Sequence, residues 1–226
     1  MTEGFTIHPI AHIRTDFKEK FGIPRQSGRV DTIGKIIFEP KYRSPEALRG
    51  IDQFSHLWLI FDFSLAHREG FSPTVRPPRL GGNTRVGVFA SRSPFRPNSM
   101  GLSSVKLIAV EHSDNEGDCL IVSGADLLDG TPIYDIKPYL PFTDCHPDAI
   151  GGYADEHLDH RLAVIFPKEL LSRLPEEKQQ SAIKCLAEDP RPSYQEDPER
   201  VYHMAFGENE ISFHVSDNIL TVISLL

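Results

Sequence analysis

Apolar positions in the first 140 or so residues come in short runs separated by Gly, Pro, Asn and Asp, the pattern of strands joined by turns. "TIHPIAHIRT" and "KIIFEP" are brief and apolar-rich. "HLWLIFDFS" is nearly continuous, which predicts a strand buried on both faces. "RVGVFAS" alternates, with Val86, Val88 and Ala90 on one side, and predicts a further strand. "SSVKLIAVEH" and "DCLIVSGADLL" predict two more around the polar turn "SDNEGD". Such a series favours a barrel or a sandwich. One short helix is expected at "SPEALRGI", with Ser44 as N-cap, Pro45 at the first helical position and Gly50 near the end. "FSPTVRPPRLGG", residues 71–82, fits neither period and predicts a long, stiff loop.

The pattern changes after "KPYLPFTDCHPDAIGGY". "PKELLSRL" and "PEEKQQSAIKCLAED" predict helices, the second with Pro175, Glu176 and Glu177 at its start and Ala182, Ile183, Leu186 and Ala187 on one face. "VYHMAF", "EISFHV" and "ILTVISLL" predict three strands linked by the turns "GENE" and "SDN". The tail, residues 151–226, therefore reads as a small α+β domain behind a mainly β domain over 5–150.

Composition adds further constraints. A chain of 226 residues, 39% hydrophobic and 25% charged, can bury a sizeable core and does not read as disordered. No apolar run approaches 18 residues and the first residues lack the shape of a signal peptide, so a soluble cytoplasmic protein with no membrane partner is expected. Cys119, Cys145 and Cys185 are far apart, which argues against a disulfide framework and against a zinc site. The net charge of −8 would disfavour a nucleic-acid partner, but the charge is unevenly spread. Arg68, Arg76, Arg79, Arg85, Arg92, Arg96 and Lys106 form a basic island opposed only by Glu69. Arginine is the better fork for phosphate, although surface arginines can also serve loop carbonyls.

Familiar catalytic signatures are missing. There is no G-x-G-x-x-G after a strand, no Walker A loop, no His pair at metal spacing and no G-x-S-x-G elbow. No metal is expected. What clusters instead is Arg, Pro and Gly, together with "DLLDGTPIYDIKPYLPF", residues 126–142. Asp129-Gly130 is a strong turn former that Thr131-Pro132 stiffens. Its amides could converge on one bound group, and Asp129 could pair with a cation or with ribose hydroxyls. Tyr134, Asp135, Lys137 and Tyr139 follow near the same end. A capped hairpin with a buried Asp135–Lys137 interaction accounts for this stretch equally well.

"IPRQSG", "FSHLWLIFDF", "TVRPPRLGGNTRVGVFASRSPFRPNSMGLSSV" and "DLLDGTPIYDIKPYLPF", in this order, resemble the TsaA-like family of tRNA methyltransferases. The resemblance covers roughly residues 5–150 and continues weakly through "AEDPRPSY". It implies a TsaA-like β-barrel that binds S-adenosylmethionine without a Rossmann fold. It also implies a homodimer with the cofactor near the subunit interface, and methylation of N6 of threonylcarbamoyladenosine at position 37, beside the anticodon of threonine tRNA. By position it implies a cofactor site from Pro24, Arg25, Gln26, Arg92, Leu102 and the turn Asp129, Gly130, Thr131 and Pro132. Ser64 and Leu65 stand where relatives carry a polar His-Gln pair, so a side-chain contact is weakened there while a backbone contact can persist.

In-line methyl transfer needs the methyl carbon held against its nucleophile in a water-excluding site, and it needs no metal or covalent intermediate. Loops braced by Pro and Gly suit that task. The proton on N6 must leave, with Asp135 and Tyr139 as candidate acceptors. The substrate's threonyl carboxylate needs a cation, which Arg96 or Lys137 could supply. Arg76, Arg79 and Arg85 then read as phosphate contacts, joined by Arg96 and Asn98 on the expected RNA surface. Phe71, Phe89 and Phe95 could stack on bases, although core packing is the plainer expectation. Two alternatives stay open: a non-catalytic RNA- or nucleotide-binding barrel, and a methyltransferase of the same fold with another substrate.

Overall fold

In the computed structural model, residues 4, 6–77, 80, 83–157, 160–192 and 197–226 are described. Among the described residues, the N-terminal part holds eight strands: β1 (Ala11–Arg14), β2 (Ile33–Phe38), β3 (His56–Asp62), β4 (Thr74–Val75), β5 (Val86–Gly87), β6 (Met100–Ser113), β7 (Gly117–Ser123) and β8 (Pro132–Pro138). Six of them bond in the cyclic order β1-β2-β7-β6-β3-β8, all antiparallel, and β8 closes the ring by pairing with both β1 and β3. Period-two alternation sends one face of each strand inward. Ile13, Ile36, Leu57, Leu59, Phe61, Val105, Leu120, Val122 and Ile133 fill the interior. Gly101 lies opposite Phe61 in the β3–β6 ladder, and a Cβ there would overlap the Phe61 ring. The glycine of "SMGLSS" is therefore fixed by core packing.

Three expectations change here. β3 is not buried on both faces: Leu57, Leu59 and Phe61 are buried, whereas Trp58 and Ile60 are half-buried on the outside. "RVGVFAS" is a strand only at Val86–Gly87; a 3-10 turn over Val88–Ala90 follows, and only Val88 is buried. "SPEALRGI" forms a 3-10 turn, Pro45–Leu48, and Ser44 makes no side-chain cap bond. The "FSPTVRPPRLGG" loop is anchored at its start by the β4–β5 pair.

The C-terminal part follows a single turn of helix, α1 (Pro141–Asp144). It contains β9 (Ala163–Ile165), α2 (Lys168–Leu171), α3 (Glu176–Ala187), β10 (Tyr202–Phe206), β11 (Asn209–Ser216) and β12 (Ile219–Leu225). The three expected hairpin strands are joined by β9, which pairs parallel with β12. On α3, Ala182, Cys185 and Leu186 are buried, while Ile183 and Ala187 are half-buried. This sheet and α3 enclose a second core, which also takes Phe17 and Val30 from the N-terminal part. Phe21 stacks on Tyr202 and Phe213 at 6.3 and 6.4 Å between ring centres. Residues 15–31 thus lie against the C-terminal core. Among the described residues, no helix is long and apolar enough to cross a membrane, and all three cysteines are free thiols.

Candidate active site

Two groups of expected cofactor residues meet directly. Arg92 Nη1 donates to Gln26 Oε1 at 2.6 Å, across 66 residues of sequence. Beneath them lies Asp126, which accepts from Ser103 Oγ at 2.6 Å. Burial pushes the Asp126 carboxyl above its ordinary value, and the hydrogen bonds and the Arg92 charge offset this only in part. Asp126 heads the quoted "DLLDGTP" motif, but sequence reasoning passed over it for the turn three residues on. Its signal was a carboxylate set between the apolar residues Ala125 and Leu127, three residues past the end of β7.

The segment bearing Pro24, Arg25 and Gln26 is tied to the end of β3 as well. Lys20 Nζ donates to the Leu65 carbonyl at 2.9 Å, and Phe63 N donates to the Ser99 carbonyl at 2.8 Å. Ser64 and Leu65 thus sit where the "RPNSM" loop enters β6, and Leu65 is exposed. Pro24 is buried. Arg25 turns the other way, its Nη2 donating to the carbonyls of Asp189 and Arg191 at 3.2 and 2.8 Å.

The Asp129 turn is already satisfied from within the chain. The amides of Asp129, Gly130 and Thr131 donate to the carbonyls of Phe17, Ile13 and Leu128 at 2.8, 2.8 and 3.1 Å. Thr131 Oγ1 also donates to the Leu128 carbonyl, at 2.7 Å. Asp129 accepts from Thr15 N at 2.9 Å and from Lys18 Nζ at 3.0 Å. Burial alone would raise its pKa, but these two bonds and the Lys18 charge hold it below the ordinary value. The expected cation partner of Asp129 is therefore Lys18, and the amides do not converge on an empty point. Gly130 remains exposed, with φ +76°, and Pro132 is half-buried.

A second grouping lies on the outer face of the ring. Leu102 of β6, Ile60 of β3 and Asp135 of β8 are directly opposite one another, and the next row is Ser104, Trp58 and Lys137. Residues opposite one another in a ladder point to the same face, and neighbouring strands are about 5 Å apart. The expected cofactor residue Leu102, 55% exposed, thus shares a row with the expected acceptor Asp135. Asp135 and Lys137 form an ion pair at 2.8 Å on the surface, not the buried interaction that a capped hairpin would have used. Tyr139 stands about 13 Å further along the strand direction. Its ring packs on Trp58 at 5.6 Å, and Trp58 Nε1 donates to Asp144 Oδ2 at 2.9 Å.

The basic island divides. Arg96 Nη1 donates to the carbonyls of Ser91 and Ser93 at 2.9 and 3.3 Å, so this guanidinium closes its own loop. Arg68 lies over the Phe95 ring, 3.6 Å from its centre. Arg76, Arg85 and Asn98 are exposed, while Arg79 lies outside the described residues. Phe71 and Phe89 are 57% and 76% exposed and stack on each other at 6.3 Å, and Phe95 is 37% exposed. Core packing does not explain these three rings. Among the described residues, no cluster of three or more His, Cys, Asp or Glu could hold a metal.

Comparison with known proteins bears on this geometry. Residues 12–145 match the family model of the tRNA-methyltransferase O N-terminal domain, and residues 159–226 match that of the TrmO C-terminal domain. The chain belongs to the tRNA-methyltransferase O family. It is 41% identical to the tRNA (adenine(37)-N6)-methyltransferase of Escherichia coli K12, covering 98% of both chains. It is 40% identical to a Pseudomonas aeruginosa protein named "Putative S-adenosylmethionine-dependent methyltransferase RcsF", covering 92% of both. A crystal structure of TrmO from P. aeruginosa superposes with a TM-score of 0.81 at 34% identity, covering 100% of this chain and 98% of that one. The mainly β architecture is thus that of the tRNA-methyltransferase O family.

Proposed function

We propose that this chain is an S-adenosylmethionine-dependent methyltransferase that modifies N6 of adenosine 37 in tRNA, with the threonylcarbamoylated base of threonine tRNA as substrate. The observation that carries this reading is the meeting of Arg92 with Gln26, two expected cofactor positions 66 residues apart, and Leu102 and Asp135 share a row on the outward sheet face. The available groups suit the cofactor. A guanidinium can bind its carboxylate, a primary amide can donate and accept, and an exposed leucine can cover an apolar edge.

S-adenosylmethionine supplies an electrophilic methyl group on a sulfonium sulfur. The chain's residues would do the rest. Arg92 and Gln26 hold the donor, with Pro24, the Ser64-Leu65 backbone, Leu102 and the Gly130 edge of the Asp129–Pro132 turn around it. A carboxylate oxygen of Asp135 would take the proton from N6 as the N–C bond forms and the methyl–sulfur bond breaks, the neutral thioether S-adenosylhomocysteine being the leaving group. Asp135 is preferred to Tyr139 because it shares the Leu102 row. Lys137 is preferred to Arg96 for the threonyl carboxylate, since its ammonium is exposed and has two more N–H groups to donate beyond its pair with Asp135, whereas the Arg96 guanidinium closes its own loop. Arg76, Arg79, Arg85 and Asn98 position the RNA backbone, and Phe71 and Phe89 offer a platform for bases of the open anticodon loop. We take 5–150 as the catalytic β-barrel domain and 151–226 as the C-terminal domain, working as a homodimer in the cytoplasm.

The test is incubation of the protein with tRNA and methyl-deuterated S-adenosylmethionine, followed by mass spectrometry of the nucleosides. One labelled methyl on N6-threonylcarbamoyladenosine is expected. Label on another nucleoside would redirect the substrate assignment, and absence of label with bound cofactor would favour the non-catalytic binding barrel.

A further inference from the structure

Residues 20–29 carry three of the cofactor positions, yet contain no regular secondary structure. Gly28 N donates to the Gly124 carbonyl at 2.9 Å in the N-terminal part, whereas most of the segment's side chains reach the C-terminal part. Arg25 Nη2 donates to the Asp189 and Arg191 carbonyls at 3.2 and 2.8 Å, 164 and 166 residues away. Arg29 Nε donates to Glu188 Oε2 at 3.0 Å. Gly22, with φ +94°, lies so close to Met204 that a Cβ there would stand 2.5 Å from its Cγ and Sδ. Phe21 and Ile23 pack on the C-terminal core.

The turn that receives Arg25 is itself braced. It is the "DPRP" of "AEDPRPSY", the one stretch of resemblance in the tail to which the catalytic reading gives no role. Asp189 adopts φ +52°, uncommon for a residue with a side chain. Its carboxylate accepts from Arg191 Nε and Nη2 at 2.9 and 3.0 Å and pairs with His160 Nε2 at 3.1 Å. Glu188 is shared between Arg29 at 3.0 Å and Arg161 at 3.2 Å, and it is only 5% exposed. Buried carboxylates held this way are costly to disturb, so the turn presents its carbonyls in a fixed place.

We infer that the turn 188–191 of the C-terminal part is a positioning element for the methyl-donor site. It holds Arg25, which fixes the neighbouring Gln26, which in turn orients the Arg92 guanidinium. In this account Arg25 acts through the turn and not by touching the cofactor, and cofactor binding depends on the C-terminal part. The inference rests on the proposed donor site.

The experiment is calorimetric titration of the full-length protein with S-adenosylmethionine, with melting temperature and steady-state kinetics on the same samples. The variants are Arg191→Gln, Arg25→Ala, Arg25→Lys, the double variant Arg25→Ala/Arg191→Gln, and Arg92→Ala. Arg191→Gln and Arg25→Ala are each expected to weaken binding about 10-fold, within the usual range of coupling between sites. The double variant should be no weaker than the weaker single one, as for residues on one path. Arg25→Lys, which keeps a cationic donor group without the planar fork, should recover part of the loss. In Arg191→Gln the loss should appear in the KM for the cofactor, with kcat falling less than about twofold.

Wild-type affinity in Arg191→Gln, or losses that multiply in the double variant, would overturn the inference. If Arg92→Ala binds the cofactor as tightly as the wild type, the donor site itself is wrong, and if the wild type does not bind it, the proposed function fails with it. If Arg92→Ala weakens binding and Arg191→Gln does not, only the positioning role fails. Should Arg191→Gln not fold, hydrogen exchange of the wild type decides. Amides of 20–29 are expected to be protected along with β10 and β11, and exchange as fast as that of residues 71–77 would contradict the positioning role.

Discussion

Two irregular, cationic regions flank the proposed site, and they are built in opposite ways. In residues 20–29 and around Arg92, guanidinium groups end on acceptors within the chain: Arg25 on the 189–191 turn, Arg29 on Glu188 and Arg92 on Gln26. Between residues 71 and 98, Arg76 and Arg85 are exposed and make no hydrogen bond or ion pair among the described residues, while Phe71 and Phe89 present their rings to solvent. A pre-organised set of side chains suits a small donor, whose binding suffers if side chains must first be ordered. An open surface of cations and aromatic rings suits a flexible polymer that brings phosphates and unstacked bases. Arg92 and Arg96 show that the division does not follow sequence position, because both lie between residues 71 and 98 yet are spent on Gln26 and on Ser91 and Ser93.

The largest expected effect comes from removing the charge on the pre-organised side. Arg92→Ala should weaken S-adenosylmethionine binding about 10- to 100-fold, the range for a hydrogen bond to a charged group, and calorimetry reads this directly. Affinity for tRNA without cofactor should change little, and an equal loss for both ligands would erase the distinction. On the open side, Phe89→Ala should weaken tRNA binding about 10-fold in a filter or anisotropy assay, in keeping with ~1–3 kcal/mol per stacked base. Its melting temperature should hold, since the ring is 76% exposed. A large drop in stability would show that the ring packs instead of stacking on RNA. Arg85→Gln should cost less, a few-fold in tRNA affinity, and should reduce the slope of log K against log salt by about one.

The smallest effect concerns the satisfied turn. Asp129 is held below its ordinary value in the folded chain, so its contribution to stability is present above that value and is lost as pH falls through the lower folded one. Asp129→Asn should lower the melting temperature at pH 7 by about 2 °C, the scale of a partly exposed ion pair, and the gap from wild type should close as pH drops below 3.8. A gap that widens in acid would mean that Lys18 and Thr15 do not stabilise the carboxylate.

Much of this was legible in the residues. Alternation placed the strands of the ring interior, and the hairpin repeats of the tail stood out because Gly207 and the Asp217-Asn218 pair take the positive φ that tight turns need. β8 was hidden by its proline, aspartate and lysine, which face outward or begin the strand, and β9 is too short to carry a period. Val88 and Phe89 looked like strand because alternation cannot separate two β residues from a 3-10 turn that follows them. Within the site, the resemblance supplied positions but not directions. Gln26 and Arg92 meet, whereas Arg25 points to a turn 164 residues away, and no local pattern encodes so distant a partner. Phe89 shows the same limit, because its exposure depends on what packs over the β4–β5 pair.

The claim on which the rest depends is that the methyl donor sits at the Gln26–Arg92 contact. A crystal structure of the protein with S-adenosylmethionine tests it most directly. The account predicts the donor's carboxylate on Arg92 and its sulfonium methyl group facing the row of Leu102 and Asp135. A donor bound away from Gln26 and Arg92, or with its methyl group turned from that face, would contradict it.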